Sequence, residues 1–220
     1  MAGRITALTF QKHHKDRANV YIDGKFAFGM AAILAAKLKV GQELSDDDVA
    51  RLQDRDGCER AYERALNYLT YRPRSEAEIR RNLREKHAGE VIDSVIERLV
   101  GAGLVDDGEF AQYWVENRLQ FRPRGLQALR YELRQKGVAD SAIDEALAGV
   151  DESQAARQLV ESALSRFRRL PPADFRRKLS GYLTRRGFSY QVVRSLVEEM
   201  AELVRCEDLS DIESEELDDA

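Results

Sequence analysis

Arginines beside prolines are the residues with the clearest chemistry in this sequence. Arg72 and Arg74 flank Pro73, Arg122 and Arg124 flank Pro123, and Arg166, Arg168 and Arg169 precede Pro171 and Pro172. A planar guanidinium fork donates two parallel hydrogen bonds, so it suits carboxylate and phosphate equally. The same side chain can instead bond the last carbonyls of a helix, which is the structural alternative for each of these positions. Stretch 165–186 is more cationic still, with Arg166, Arg168, Arg169, Arg176, Arg177, Lys178, Arg185 and Arg186 against Asp174 alone. Such a run is either a solvated helix face or a site for a polyanion or an acidic protein partner.

Residues suited to catalysis are sparse. The histidines are His13, His14 and His87, none paired with cysteine or histidine at metal-ligand spacing on one helix. There is no HExxH, no GxSxG and no phosphate-cradling GxxxxGK[ST]. Cys58 and Cys206 make neither a disulfide framework nor a CxxC site. Asp106-Asp107 reads as a helix N-terminus, because Asp106 stands three residues before Glu109 in a capping pattern. Trp114 follows Phe110 by four residues on an apolar stripe and reads as core rather than as a base-stacking platform. No enzyme activity, metal or cofactor is expected.

The elements that must position the arginines fall into two kinds. Ile5–Phe10, Asn19–Asp23 and Lys25–Phe28 are rich in β-branched and aromatic residues, and Asp23-Gly24 is a hairpin signal needing positive φ. They predict a small antiparallel sheet of about three strands. From Met30 the period changes: Ile33, Leu34 and Leu38 suit a short helix stopped at Gly41, and Ser45-x-x-Asp48 resembles a capping box opening another. These helices supply the lid that so small a sheet needs.

Beyond residue 55 the sequence repeats itself. Ile79, Leu129 and Leu179 stand 50 residues apart, as do Leu83, Leu133 and Leu183, and as do Lys86, Lys136 and Arg186. Ile92, Ile143 and Val193, and Ile96, Leu147 and Val197, match with one residue of slip. Each unit reads as three short helices with an elbow after the first. The predicted fold is mainly α: three tandem three-helix repeats stacked on a shared core into an elongated curved array, behind a small N-terminal β/α subdomain. The expected boundaries are 1–54 for the front subdomain, 55–106, 107–150 and 151–205 for the repeats, and 206–220 for a disordered acidic tail.

Composition agrees with that picture. Of 220 residues, 34% are charged and 43% hydrophobic, enough chain to bury a core without disulfide or metal staples. Residues 206–220 hold eight acids and no Lys or Arg, leaving 35 basic against 31 acidic residues over 1–205. A body of about +4 therefore adjoins a tail of −8. No stretch approaches the ~20 apolar residues that span a bilayer, so a cytoplasmic protein is expected.

Tyr71-Arg-Pro-Arg-Ser-Glu-Ala-Glu78 leading to Leu83 and Lys86, then Gly103-Leu-Val-Asp-Asp107 with Phe110-Ala111, Trp114 and Arg118, then Gly125 with Leu129, Glu132-Leu133 and Lys136-Gly137, resemble the RecX family of bacterial recombination regulators. The likeness runs from about residue 58 to 200, and the third repeat departs most, with Pro171-Pro172 in place of Arg-Pro-Arg. The resemblance implies a non-enzymatic modulator of RecA, the recombinase that polymerises on single-stranded DNA. Such a regulator lies in the filament groove and inhibits strand exchange, ATP hydrolysis and coprotease activity, which places it in homologous recombination and the SOS response. The expected partners are the RecA filament and single- or double-stranded DNA, with the chain itself a monomer. The expected contacts are the elbow arginines and the 165–186 cluster. A helical-repeat protein that binds nucleic acid on its own account is the alternative, and a helix-turn-helix transcription factor a further one.

Overall fold

The Asp23-Gly24 pair has φ of 48° and 76° in the computed structural model. That is the type I′ geometry, whose twist matches the strands it joins. The structure describes residues 3–12 and 14–218, with side chains as far as Arg205. His13 and the Cys206 side chain, both weighed above, lie outside the described residues. The chain divides into two units, Met1–Val105 and Asp106–Ala220.

In the first unit, β1 (Ile5–Phe10), β2 (Arg17–Ile22) and β3 (Lys25–Ala31) form an antiparallel sheet in that order. Alternation along the strands gathers Ile5, Ala18, Val20, Phe28 and Met30 into one buried face. The helix expected from Met30 is only one turn, α1 (Ala32–Ala35). Strand pairing with Arg17 and Ala18 holds Ala31 and Met30 in β3, which shortens it.

The next helix, α2 (Asp46–Leu69), starts at the expected cap: the Ser45 hydroxyl accepts the Asp48 N–H, and the Asp48 carboxylate accepts the Ser45 N–H. Hydrogen bonds from Ser45 and then Arg51 hold the Asp48 carboxyl well below the usual carboxylate range. The cap's contribution is therefore present at neutral pH and is lost as pH falls through that lowered value.

Without proline over its 24 residues, α2 runs unbroken through the boundary expected at 54/55. Val49 and Leu52 near its start pack on the sheet cluster, while Ala61 and Ala65 belong to the core of the first helix triplet. Asp56, only 3% exposed, lies between them. Its carboxylate accepts two hydrogen bonds from Arg17, at 3.2 and 3.0 Å, and one from the Ala31 N–H at 2.7 Å. Arg60 adds an ion pair at 3.2 Å.

The first triplet is completed by α3 (Glu76–Leu83) and α4 (Gly89–Gly101), which contribute Ile79, Leu83, Ile92, Ile96 and Leu99 to its core. The second unit holds two triplets. α5 (Asp107–Phe121), α6 (Leu126–Gln135) and α7 (Asp140–Leu147) bury Phe110, Leu129, Leu133, Ile143 and Leu147. α8 (Glu152–Glu161), a 3-10 turn at Leu164–Arg166, α9 (Pro172–Thr184) and α10 (Tyr190–Asp218) bury Leu159, Phe175, Leu179, Leu183, Val193 and Val197.

The repeat survives at atomic level. Ile79, Leu129 and Leu179, and likewise Leu83, Leu133 and Leu183, are all fully buried. Arg80 pairs with Asp93 across α3 and α4, and Arg130 pairs with Asp144 across α6 and α7, one residue of slip included. Arg64 donates to Asn82 where, fifty residues on, Trp114 donates to Glu132.

One expectation is corrected. Within the second unit the triplets do not pool one core: each closes its own cluster, and Leu119 packs against both. Backbone and polar groups make the rest of that joint. The Gly125 N–H donates to the Arg186 carbonyl at 3.0 Å, and Glu152 Oε1 accepts the N–H groups of Leu126 and Ser189 at 3.0 and 3.1 Å. Two amides at the start of α6, lacking intrahelical partners, are thus satisfied by the third triplet. In the acidic segment the backbone continues α10 to Asp218. Its glutamates and leucines are strong helix formers, which favours continuation although acids at a C-terminal end oppose the helix dipole.

Candidate interaction surface

The first elbow joins α2 to α3. Arg72 is held by Glu78 through two hydrogen bonds of 2.8 and 3.0 Å and also donates to the Pro73 carbonyl. Glu78 is 7% exposed, so removing Arg72 would strand a buried carboxylate. Arg72 therefore holds the elbow together. Arg74 lies over the Tyr68 ring at 3.9 Å, and its buried Nε has no hydrogen-bond partner among the described residues.

The second elbow joins α5 to α6 and distributes its arginines differently. Arg122 ends α5, is exposed and makes no ion pair with a described residue. Arg124 Nε is 3.7 Å from Glu132 Oε1, an ion pair too long for a hydrogen bond, and is again buried with no hydrogen-bond partner among the described residues. Glu132 is already engaged by Arg118 at 2.7 Å and by the Trp114 indole at 2.9 Å. Arg74 and Arg124, fifty residues apart, thus share an unsatisfied donor.

In the third triplet the cations face water. Arg166, Arg169, Arg176, Lys178 and Arg185 are exposed and make no ion pair with a described residue. Arg168 is exposed too, Arg177 pairs with Asp174 at 2.7 Å, and Arg186 lies over Tyr182 at 5.1 Å. Arg168 and Arg176 line one cavity together with Arg205, a residue the sequence pattern did not single out. Also missed were Tyr71 and Phe121, 84% and 67% exposed at equivalent places just before the two Arg-Pro-Arg elbows. The 50-residue interval that aligned the core leucines would have found this pair.

Trp114 is corrected from core to half-buried. Phe110, 2% exposed, takes the core position, and the indole lies at its edge with Arg118 and Lys136 at 4.3 and 4.9 Å from the ring. Trp114→Phe keeps most of this packing but loses the bond to Glu132. It should cost about 1 kcal/mol in a denaturant titration, and Trp114→Ala about 2 kcal/mol. A loss of 4 kcal/mol or more for the alanine would restore the core reading.

Asp106 caps α5 as expected, its carboxylate accepting the Gly108 and Glu109 N–H groups. His87 sits in the turn after α3, where burial first and then Arg64, Arg60 and Lys86 push its imidazole to a lower pKa. Among the described residues no group of three His, Cys, Asp or Glu side chains is placed to hold a metal, and no helix is long and apolar enough to cross a membrane.

Three helix triplets behind a three-stranded sheet, with cationic elbows and a basic third triplet, define a tandem three-helix-repeat protein. Family models agree segment by segment: the Regulatory protein RecX N-terminal domain matches residues 3–45, and the first, second and third RecX three-helix domains match 61–99, 106–147 and 151–197. The chain belongs to the RecX family of regulatory proteins.

The Regulatory protein RecX of Bacillus subtilis is 33% identical over 202 residues, covering 89% of this chain and 76% of that one. The corresponding protein of Clostridium acetobutylicum is 32% identical over 206 residues, covering 89% and 95%. A crystal structure of regulatory protein RecX superposes with a TM-score of 0.73 at 31% identity, over 90% of this chain and all of that one. RecX from Lactobacillus salivarius shares the fold, with a TM-score of 0.60 at 24% identity over 66% of this chain.

Proposed function

We propose that this chain regulates the RecA recombinase by binding its filament on DNA, reducing ATP hydrolysis, strand exchange and coprotease activity without catalysing a reaction itself. Membership of a family of regulatory proteins supports the regulatory part. The observation that carries the rest is the third triplet, where five cations stand exposed and make no ion pair with a described residue. Guanidinium and ammonium groups so displayed suit a periodic, anionic assembly of acidic protein surface and phosphate. Arg122 and Arg124 extend the contact in the second triplet, whereas Arg72 serves the elbow.

The deciding measurement is RecA ATPase on single-stranded DNA, titrated with this chain. Arg122→Glu combined with Arg176→Glu and Lys178→Glu should raise the protein needed for half-inhibition by about tenfold or more, since each exposed pair contributes roughly 0.2–1 kcal/mol. Circular dichroism should show an unchanged fold. Undiminished inhibition by the triple variant would take these residues out of the contact.

Exposed Tyr71 and Phe121 favour a second reading, a protein that binds single-stranded nucleic acid directly. Aromatic rings beside arginines suit base stacking together with phosphate neutralisation. Under that reading the protein binds bare single strands as tightly as RecA-coated ones, and Tyr71→Ala with Phe121→Ala weakens both. Preference for the coated filament supports the RecA reading.

A further inference from the structure

In the second unit a cleft of about 540 Å³ is lined by α5, by α8 and by the turn that joins α7 to α8. That volume falls within the roughly 300 to 1,000 Å³ of ligand sites. Val115 and Ala155, both buried, and Leu119 and Val150, half-buried, give the cleft its apolar floor. Its exposed rim is built mainly of carboxamides: Gln112 and Gln120 with Glu116 between them on α5, and Gln154 and Gln158 on α8. None of these five side chains makes a hydrogen bond or an ion pair with a described residue.

A carboxamide carries an N–H donor and a C=O acceptor side by side, which is the complement of a peptide unit. Backbone groups inside a helix are already paired, so only an extended chain has them to offer. Spacing agrees with such a guest. Gln112, Glu116 and Gln120 recur every four residues, about 6 Å along the helix axis, and alternate residues of an extended chain recur every ~6.6 Å. Each side chain of the α5 row can therefore meet one two-residue step of the guest. Charge narrows the choice further, because Glu116 and Asp151 line the cleft and no Lys, Arg or His does. The Asp151 carboxylate is engaged as the cap of α8, accepting the Gln154 N–H, which leaves Glu116 as the carboxylate open to a guest. Phosphate is repelled here and a cationic side chain is drawn in.

We propose that this cleft binds an extended, basic peptide segment of a partner protein. The main chain of the segment pairs with the glutamines of the rim, a Lys or Arg meets Glu116, and small aliphatic side chains cover the floor. The cleft takes the opposite charge to that taken by the exposed cations of the third triplet, so the two contacts do not compete for one ligand. This holds whether or not RecA is the target of those cations.

The test titrates the full-length, nitrogen-15-labelled protein with an acetylated, amidated heptapeptide, Ala-Val-Ala-Lys-Ala-Val-Ala. Saturable shifts are expected in the side-chain amide signals of Gln112, Gln120, Gln154 and Gln158. Affinity should fall about tenfold when the lysine of the peptide is replaced by glutamate. Methylating every second peptide nitrogen removes donors while keeping the charge, and should also weaken binding about tenfold. Glu116→Lys, at an exposed position, should reverse the preference between the lysine and glutamate peptides. A ten-nucleotide oligothymidylate should leave the four glutamine signals in place. No saturation at millimolar peptide would overturn the proposal. Binding indifferent to nitrogen methylation would do the same, because charge alone would then be acting. Glutamine shifts caused by the oligonucleotide would also overturn it, making the cleft part of a nucleic-acid surface. None of these readouts involves RecA, so failure here and failure of the RecA reading are separable.

Discussion

Gly125→Val destabilises the second unit by about 3 kcal/mol or more and loosens the third triplet first. A Cβ at Gly125 would lie 2.1 Å from the Gly187 carbonyl oxygen and 2.3 Å from the Phe188 nitrogen, both backbone atoms that cannot swing aside. The backbone at Gly125 has φ −72° and ψ 162°, ordinary for any residue, so the whole penalty is steric. Relief requires the turn after α9 to withdraw, which breaks the Gly125–Arg186 hydrogen bond and pulls Ser189 from Glu152. Hydrogen exchange should therefore rise in α8 to α10 before α5 to α7. Gly149→Ala, where an added Cβ meets nothing within 4 Å, is the control and should be close to neutral. Equal melting curves for Gly125→Val and the wild type would show that the two triplets do not approach as described.

Asp56→Ala costs the first unit about 3 to 5 kcal/mol, the range for breaking a buried ion pair from one side. Arg17 would lose both its hydrogen bonds to this carboxylate, and the Ala31 N–H at the end of β3 would lose its acceptor. Domains carry only about 5 to 15 kcal/mol in all, so the sheet should melt in the variant well before the second unit. Asp56→Asn separates the contributions: it can still accept from Ala31 but no longer neutralises Arg17, and should lie between the two. A loss under 1 kcal/mol for the alanine would mean that water reaches Arg17 and that the carboxylate is not the anchor.

Periodicity carried most of the fold. The leucines at 50-residue spacing are the core because a helix must turn one face inward, and that requirement is written in residue type. The hairpin was legible because few residues besides glycine, asparagine and aspartate tolerate positive φ. Pairing was less legible. Nothing in the pattern marks Asp56 as buried, since an aspartate in a charged helix reads as solvent-facing, and its partner Arg17 is 39 residues away. The elbows show the same limit: Arg72 and Arg122 look alike in sequence, yet Glu78 takes the first while position 128, fifty residues on, is alanine. That single difference leaves one arginine internal and the other exposed. Trp114 was misjudged for a related reason, because its stripe is apolar on one side and bordered by Arg118 and Lys136 on the other.

Since α2 both floors the sheet and opens the first triplet, the two have no seam at which they can be cut apart. A deletion series trimmed anywhere from Asp46 to Leu69 removes part of both cores at once. The smallest soluble fragment that retains Arg74 must carry the strands as well, and the natural scissors position is the junction of Val105 and Asp106.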